Sequence, residues 1–124
     1  LEDVSVVKIG LRMPRKELHR RIGRRTERMF SEGLVEEVSR LLDGGADPSW
    51  PGLQTLGYPE AIACARGTIT VGEAIERVAA RTRQYAKRQE TWFRKEPDVV
   101  WLDALRPDLL ELALGIIRER SFPA

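Results

Sequence analysis

The sequence predicts an α/β fold, mostly helical with two short strands, and three observations carry that prediction. Residues 4–11 are β-branched and nearly continuous in hydrophobicity, which suits a strand buried on both faces. Residues 99–102, Val-Val-Trp-Leu, read as a second short buried strand ending at Asp103. Between and after these runs, apolar residues recur at helical period in several stretches, so helices must fill the space around the strands.

Taken in order, Pro14 fits the first turn of a helix, where its missing N–H has no intrahelical partner to lose. Leu18, Ile22, Met29 and Phe30 form its inward stripe and Gly33 stops it. Arginine crowds this helix, and Arg21, Arg25 and Arg28 follow the apolar stripe closely, so one or more of them is expected to reach a buried anion. For any single arginine the plainer reading is snorkelling, with the stem on apolar surface and the head in water. His19 lies among these cations with no second histidine or cysteine cluster near it, and reads as a surface residue.

A second helix over residues 34–42 turns Leu34, Val35, Val38, Leu41 and Leu42 inward, ends at Gly44-Gly45, and should form an antiparallel hairpin with the first. Residues 47–52 are loop punctuation. After them Pro59 opens a short helix to Gly67, and Gly57 marks a turn or a close backbone approach. Tyr58 offers either a ring for stacking on a base or, more commonly at a helix entrance, a half-buried packing residue.

Thr70-Val71-Gly72-Glu73 is a capping box, so a long helix begins there and runs to about Lys95. On it Val71, Ile75, Val78, Thr82, Tyr85, Gln89 and Trp92 recur at alternating spacings of four and three, a face that should seek the core. Around the other side run Arg77, Arg81, Gln84, Arg88 and Lys95, flanked by Arg83, Lys87 and Arg94, with Glu90 the only acid from Arg77 to Lys95. Fixed cations on a rigid helix release condensed counterions when they meet a polyanion, and arginine adds bidentate geometry for phosphate oxygens. A solvated charged face is the bland alternative, but such faces carry glutamates four residues before their cations, and here these are nearly absent. A last helix, residues 107–119, presents Leu109, Leu110, Leu112, Leu114, Ile116 and Ile117, an apolar surface wider than one stripe.

The chain has 124 residues, 42% hydrophobic and 32% charged, enough for one domain with a modest core. A formal net charge of only +2 means that any affinity for nucleic acid must come from charge distribution. Cys64 is the single cysteine, which excludes an internal disulfide, fits a reducing, cytoplasmic setting, and reads as packing. No apolar run approaches a membrane span, so a membrane is not an expected partner. Two strands alone leave open edges and uncovered faces, and the chain starts at Leu1, so it is expected to be a piece of a longer protein with further strands before it. A Gly-Lys-Ser/Thr phosphate loop, a paired carboxylate constellation and a nucleophile beside a base are all missing, so no catalytic residue is assigned to this chain.

Five motifs carry a resemblance. Arg21-Ile22-Gly23-Arg24-Arg25, Gly33-Leu34 followed by Glu36-Glu37-Val38, Gly57-Tyr58 before a short helix, and Thr82-Arg83-Gln84-Tyr85-Ala86-Lys87-Arg88-Gln89 with Thr91-Trp92-Phe93-Arg94, then Trp101-Leu102-Asp103, occur in one order. Together they make the chain similar to the carboxy-terminal half of the tRNA dimethylallyltransferases. That resemblance implies a mostly helical closing portion of a P-loop NTPase-like parallel-sheet core, related to nucleotide kinases. It implies an enzyme, tRNA dimethylallyltransferase, that transfers a dimethylallyl group from its diphosphate to the exocyclic amine of the adenosine 3′ of the tRNA anticodon.

It further implies magnesium (Mg2+) as cofactor, with its ligands, the phosphate loop and an aspartate general base all in an amino-terminal half before Leu1. The partners so implied are the tRNA anticodon stem-loop, dimethylallyl diphosphate and that missing half. Arg25 matches the family's diphosphate-binding arginine. Gln54, Thr55, Gly57, Tyr58, Lys87, Arg88, Gln89, Trp92 and Arg94 fall in segments that match tRNA contacts, although Thr55-Leu56 and Pro59 depart from the common family residues. Two readings from other classes stand beside it: a free-standing helical RNA- or DNA-binding module using residues 77–95, and a helical scaffold that pairs through residues 109–117.

Overall fold

In the computed structural model, which describes residues 5–121, the order is β1 (Lys8–Arg12), α1 (Arg15–Ser31), α2 (Leu34–Asp43), a 3-10 turn (Pro51–Gln54), α3 (Tyr58–Ala65), α4 (Val71–Arg94), β2 (Val99–Asp103) and α5 (Leu109–Ser121). The core is helical. Phe30 of α1, Leu34 and Val38 of α2, Leu53 of the 3-10 turn, Ala61 and Ile62 of α3, and Ala74 and Val78 of α4 form one buried cluster. Small residues at Ala61, Ala74 and Ala79 let these helices approach closely, with α1 lying on α4 and α2 on α3. The expected hairpin of α1 and α2 is therefore a minor contact, since each helix has its main partner elsewhere.

β1 and β2 pair in parallel, in the register Lys8 to Val99 through Arg12 to Asp103, with the helices as crossover. Lys8 Nζ holds Glu96 at 2.7 Å, and the Arg12 guanidinium lies 5.1 Å above the Trp101 ring. Two expectations are corrected here. β1 begins at Lys8, while Val4 lies outside the described residues. The strands are half-buried at best, with Leu11 58% exposed, because no helix among the described residues makes a major contact with either strand.

The inward stripes also need correction. In α1 the buried positions are Ile22, Thr26 and Phe30, four apart, and the Thr26 hydroxyl donates to the Ile22 carbonyl at 2.8 Å. Arg25 lies one position off that line and is exposed, as are Arg21 and Arg28. Leu41 of α2 faces solvent. In α4 only the amino-terminal half of the expected face is covered: Val78 is buried and Ile75 half-buried, whereas Tyr85 is 53% exposed and Trp92 63%. Helices α1 and α3 support α4 over its first turns, and the rest projects past them.

Exposed apolar surface is extensive. The chain presents 9398 Å² to solvent, against about 6,700 Å² for a compact monomer of this length. Leu110, Leu114 and Ile117 of α5 are all part of it.

Candidate nucleic-acid interface

Helix α4 starts where the capping box predicts. The Glu73 backbone N–H donates to Thr70 Oγ1 at 3.1 Å, and the Thr70 hydroxyl meets Glu73 Oε1 at 3.3 Å. Ala74, Val78 and Ala79 then pin the first half. Rigid support at one end and open solvent at the other leave Lys87, Arg88, Gln89, Trp92, Phe93 and Arg94 exposed. Trp92 and Phe93 lean edge to face, 4.8 Å between centroids at 85°, and give the carboxy-terminal end of the helix an aromatic surface. Arg94 is not free, because Glu90 one turn back holds it at 2.6 Å.

The turn before α3 is built by its own side chains. Gln54 Nε2 donates to the Pro48 carbonyl at 2.6 Å and the Thr55 hydroxyl to the Gly52 carbonyl at 2.9 Å, while Leu53 is buried beneath. Gln54 and Thr55 are thus engaged within the loop. Gly57 takes φ 99°, and a Cβ there would sit 3.2 Å from Met29 Cε, so both the backbone angle and the close approach call for glycine. Tyr58 is half-buried, and its hydroxyl donates to Glu37 Oε1 at 3.3 Å; the Glu37 charge, with some burial, raises the tyrosine pKa. Its ring packs against the core cluster, which favours the packing role.

The fold brings the two RNA-matched segments together at one place. Leu56, from the turn, and Arg81, Gln84, Tyr85 and Arg88, from α4, line a shallow groove of about 210 Å³. Of the residues assigned from sequence only Arg88 lines it; Gln54, Thr55, Gly57 and Tyr58 support the turn behind it, and Lys87, Gln89, Trp92 and Arg94 continue along α4. Sequence reasoning missed Glu60. This acid is buried on α3 and its Oε1 pairs with the Arg81 guanidinium across 21 residues of sequence, a separation with no local signal. An acid after Pro59 reads from sequence only as a complement to the helix dipole.

Arg25 stands apart from this groove on α1. Among the described residues it makes no ion pair, whereas Arg20 and Arg21 are drawn to Glu17. Those two contacts, the Arg20 hydrogen bonds first, hold the Glu17 carboxyl down to about 2. Cys64 is half-buried against the core; burial raises its pKa, and the Glu73 charge adds to the effect. No group of three or more His, Cys, Asp or Glu able to hold a metal occurs among the described residues. No described helix is long and apolar enough to cross a membrane.

The arrangement defines a class: helices packed beside a parallel strand pair, with one helix presenting cations and aromatics of the kind that meet a polyanion. A sequence model described as IPP transferase matches residues 1–96, and the chain belongs to that family. It is 46% identical over 102 residues to the tRNA dimethylallyltransferase of Geobacter sulfurreducens, covering 82% of this chain and 33% of that protein. With the tRNA dimethylallyltransferase of a Picosynechococcus species it shares 47% identity over 118 residues, 94% of this chain and 39% of the relative. Among solved structures, the full-length tRNA isopentenylpyrophosphate transferase from Bacillus halodurans superposes with a TM-score of 0.78 at 37% identity, over 93% of this chain and 40% of that one. The Staphylococcus epidermidis tRNA isopentenylpyrophosphate transferase gives 0.82 at 32% identity, over 98% and 39%. The chain therefore spans between 33% and 40% of the length of these proteins.

Proposed function

We infer that this chain is the closing portion of a tRNA prenyltransferase, one that moves a dimethylallyl group from its diphosphate to the exocyclic amine of the adenosine 3′ of the anticodon. The observation that carries the reading is the projecting half of α4. Tyr85, Lys87, Arg88, Gln89, Trp92 and Arg94 stand exposed on that supported rod, next to the Leu56 turn. In this reading those side chains meet the anticodon stem-loop through phosphate contacts and stacking. Arg25, exposed and unpaired among the described residues, takes the donor diphosphate and neutralises charge on the leaving group.

The phosphate-binding loop of a nucleotide-kinase-like core, the general base and the ligands of magnesium belong, in the same reading, to the share of the relatives' length that this chain does not span. These residues then bind and orient rather than perform the chemistry, and the cytoplasm, where tRNA is found, is the setting. Neither a free-standing RNA-binding module nor a protein scaffold is favoured by a specific observation.

Transfer of radiolabelled dimethylallyl to an unmodified tRNA tests the reading. The full-length gene product is expected to transfer the label and the 124 residues alone to transfer none. Absence of transfer by the full-length product, or transfer by the isolated chain, would overturn the division of labour.

A further inference from the structure

Helix α4 has 24 residues, a rod about 36 Å long, and α1 and α3 support only its first turns. Held at one end alone, such a rod would swing at the other, where Lys87, Arg88, Trp92 and Arg94 stand exposed. Four residues, Lys95 to Asp98, join that far end to β2, and they are built to be stiff. The backbone N–H groups of Lys95 and Glu96 donate to the Trp92 and Phe93 carbonyls at 3.2 and 3.0 Å and close the helix. The ring of Pro97 fixes its φ. Asp98 turns the chain at φ 60°, the one non-glycine residue in the left-handed region among those described.

Lys8, the first residue of β1 and the register partner of Val99, reaches across to this join. Its Nζ donates to Glu96 Oε1 at 2.7 Å and to the Pro97 carbonyl at 3.4 Å. With the two side chains 36% and 34% exposed, the ion pair adds little to stability. Its consequence is geometric. No helix among the described residues makes a major contact with either strand, so the strand pair meets the body of α1 to α4 chiefly at two short joins, residues 13–14 and 95–98. The first leaves the carboxyl end of β1 and the second enters the amino end of β2, which in a parallel pair are opposite ends. Lys8 clamps the second, two residues past Arg94.

We propose that Lys8 is a positioning residue for prenyl transfer. By holding Glu96 and the Pro97 carbonyl it fixes where the far end of α4 stands relative to the strand pair, and so where a bound RNA stands relative to the sheet that carries the chemistry. The lysine itself touches neither RNA nor donor. This rests on the prenyltransferase reading above and adds to it the residue that couples RNA binding to transfer. Misplacing a reacting group by about 1 Å can cost on the order of a hundred-fold in rate, so a looser join shows in the transfer step.

The test is single-turnover transfer of labelled dimethylallyl by the full-length gene product at saturating tRNA, with RNA titrations across salt and a melting curve for each variant. Lys8→Met is expected to slow transfer on the order of ten-fold while RNA affinity, salt slope and melting temperature stay nearly unchanged. Lys8→Arg, which still donates to both acceptors, should transfer at close to the unaltered rate. Glu96→Ala should be slowed like Lys8→Met, and the double variant should be no slower than either, since the two residues act through one contact.

Unchanged transfer in Lys8→Met and Glu96→Ala would overturn the clamp while leaving the function standing. A salt slope lowered by about 0.7 or more in Lys8→Met would make Lys8 a phosphate contact instead, and a rate that falls only as the melting temperature falls would make its role structural. Should Lys8→Met not fold, Glu96→Ala decides, because it alters a partly exposed side chain outside the helix and the strand. Absence of transfer by the unaltered full-length product would remove the underlying reading as well.

Discussion

The indole of Trp101 lies flat against Gly10, its register partner on the neighbouring strand: a Cβ added at Gly10 would stand 2.6 Å from both Cε3 and Cζ3 of the ring. No real side chain tolerates that approach, so glycine there is a packing requirement. The Arg12 guanidinium then stacks on the same indole, tying the end of β1 to β2.

Gly10→Ala is therefore expected to destabilise the strand pair by about 1–3 kcal/mol, the range for overpacking a fitted site. Replacing the indole as well, in Gly10→Ala with Trp101→Val, should recover part of the loss, because the ring makes the tightest contact while Val99 Cγ1, at 2.9 Å from the same Cβ, remains. Urea unfolding of the two single variants and the double variant measures this; additive losses would show that the ring does not set the glycine.

Acid should weaken α1 at Glu17. Its carboxyl is held from an ordinary value of 4.5 down to about 2 by Arg20, with Nε at 2.9 Å, and by Arg21 at 3.1 Å. A depressed carboxyl contributes stability that is present above the unfolded pKa and is lost as pH falls through the folded one. The loss is thus expected between pH 4.5 and about 2. Melting temperatures of the unaltered protein and of Glu17→Gln should converge across that window, and curves that run parallel would assign the acid sensitivity to other carboxylates.

Much of the fold was legible because its signals are local. The capping box at Thr70 and Glu73, the breaks at Gly33 and Gly57, and the β-branched run at Val99 each decide a few residues on either side, and the structure has an element boundary at each. Facing directions were less legible. Thr26 rather than Arg25 continues the Ile22 line, a choice that hydrophobicity hides because threonine satisfies its hydroxyl on the Ile22 carbonyl. Tyr85 and Trp92 keep core periodicity along α4, yet periodicity does not say where the supporting helices stop. In the interface the cations were readable from composition, whereas Glu60 meeting Arg81 depends on how α3 crosses α4 and left no trace in the sequence.

The cations of α4 should not contribute equally to RNA binding. Lys87 and Arg88 are exposed and make no ion pair among the described residues, so Lys87→Ala and Arg88→Ala should each lower the salt slope by about one. Arg94 is held by Glu90 at 2.6 Å and must be freed first, so Arg94→Ala should cost less. Conversely, Glu90→Gln should tighten RNA binding by about two- to five-fold, the scale of an exposed ion pair. Titrations across salt check this, and a weaker Glu90→Gln complex would mean that the acid orients Arg94 instead of competing for it.

In the proposed function Arg25 serves the donor diphosphate and not the RNA, and variants at this position test that assignment. The side chain is exposed on α1, outside the buried Ile22, Thr26 and Phe30 line, so Arg25→Ala should leave the melting temperature unchanged. In the full-length gene product it should lower prenyl transfer by about 2–4 kcal/mol in transition-state stabilisation, comparable to removing one donor from a site of developing negative charge. Binding of tRNA should be nearly unaffected, because the contact strengthens only as the leaving group departs. Arg25→Lys should recover little, since an ammonium lacks the planar fork. Steady-state transfer and RNA titration on the same preparations check both halves. Full transfer with weakened tRNA binding in the alanine variant would place Arg25 on the RNA face together with Lys87 and Arg88, and the donor diphosphate would then need a different arginine.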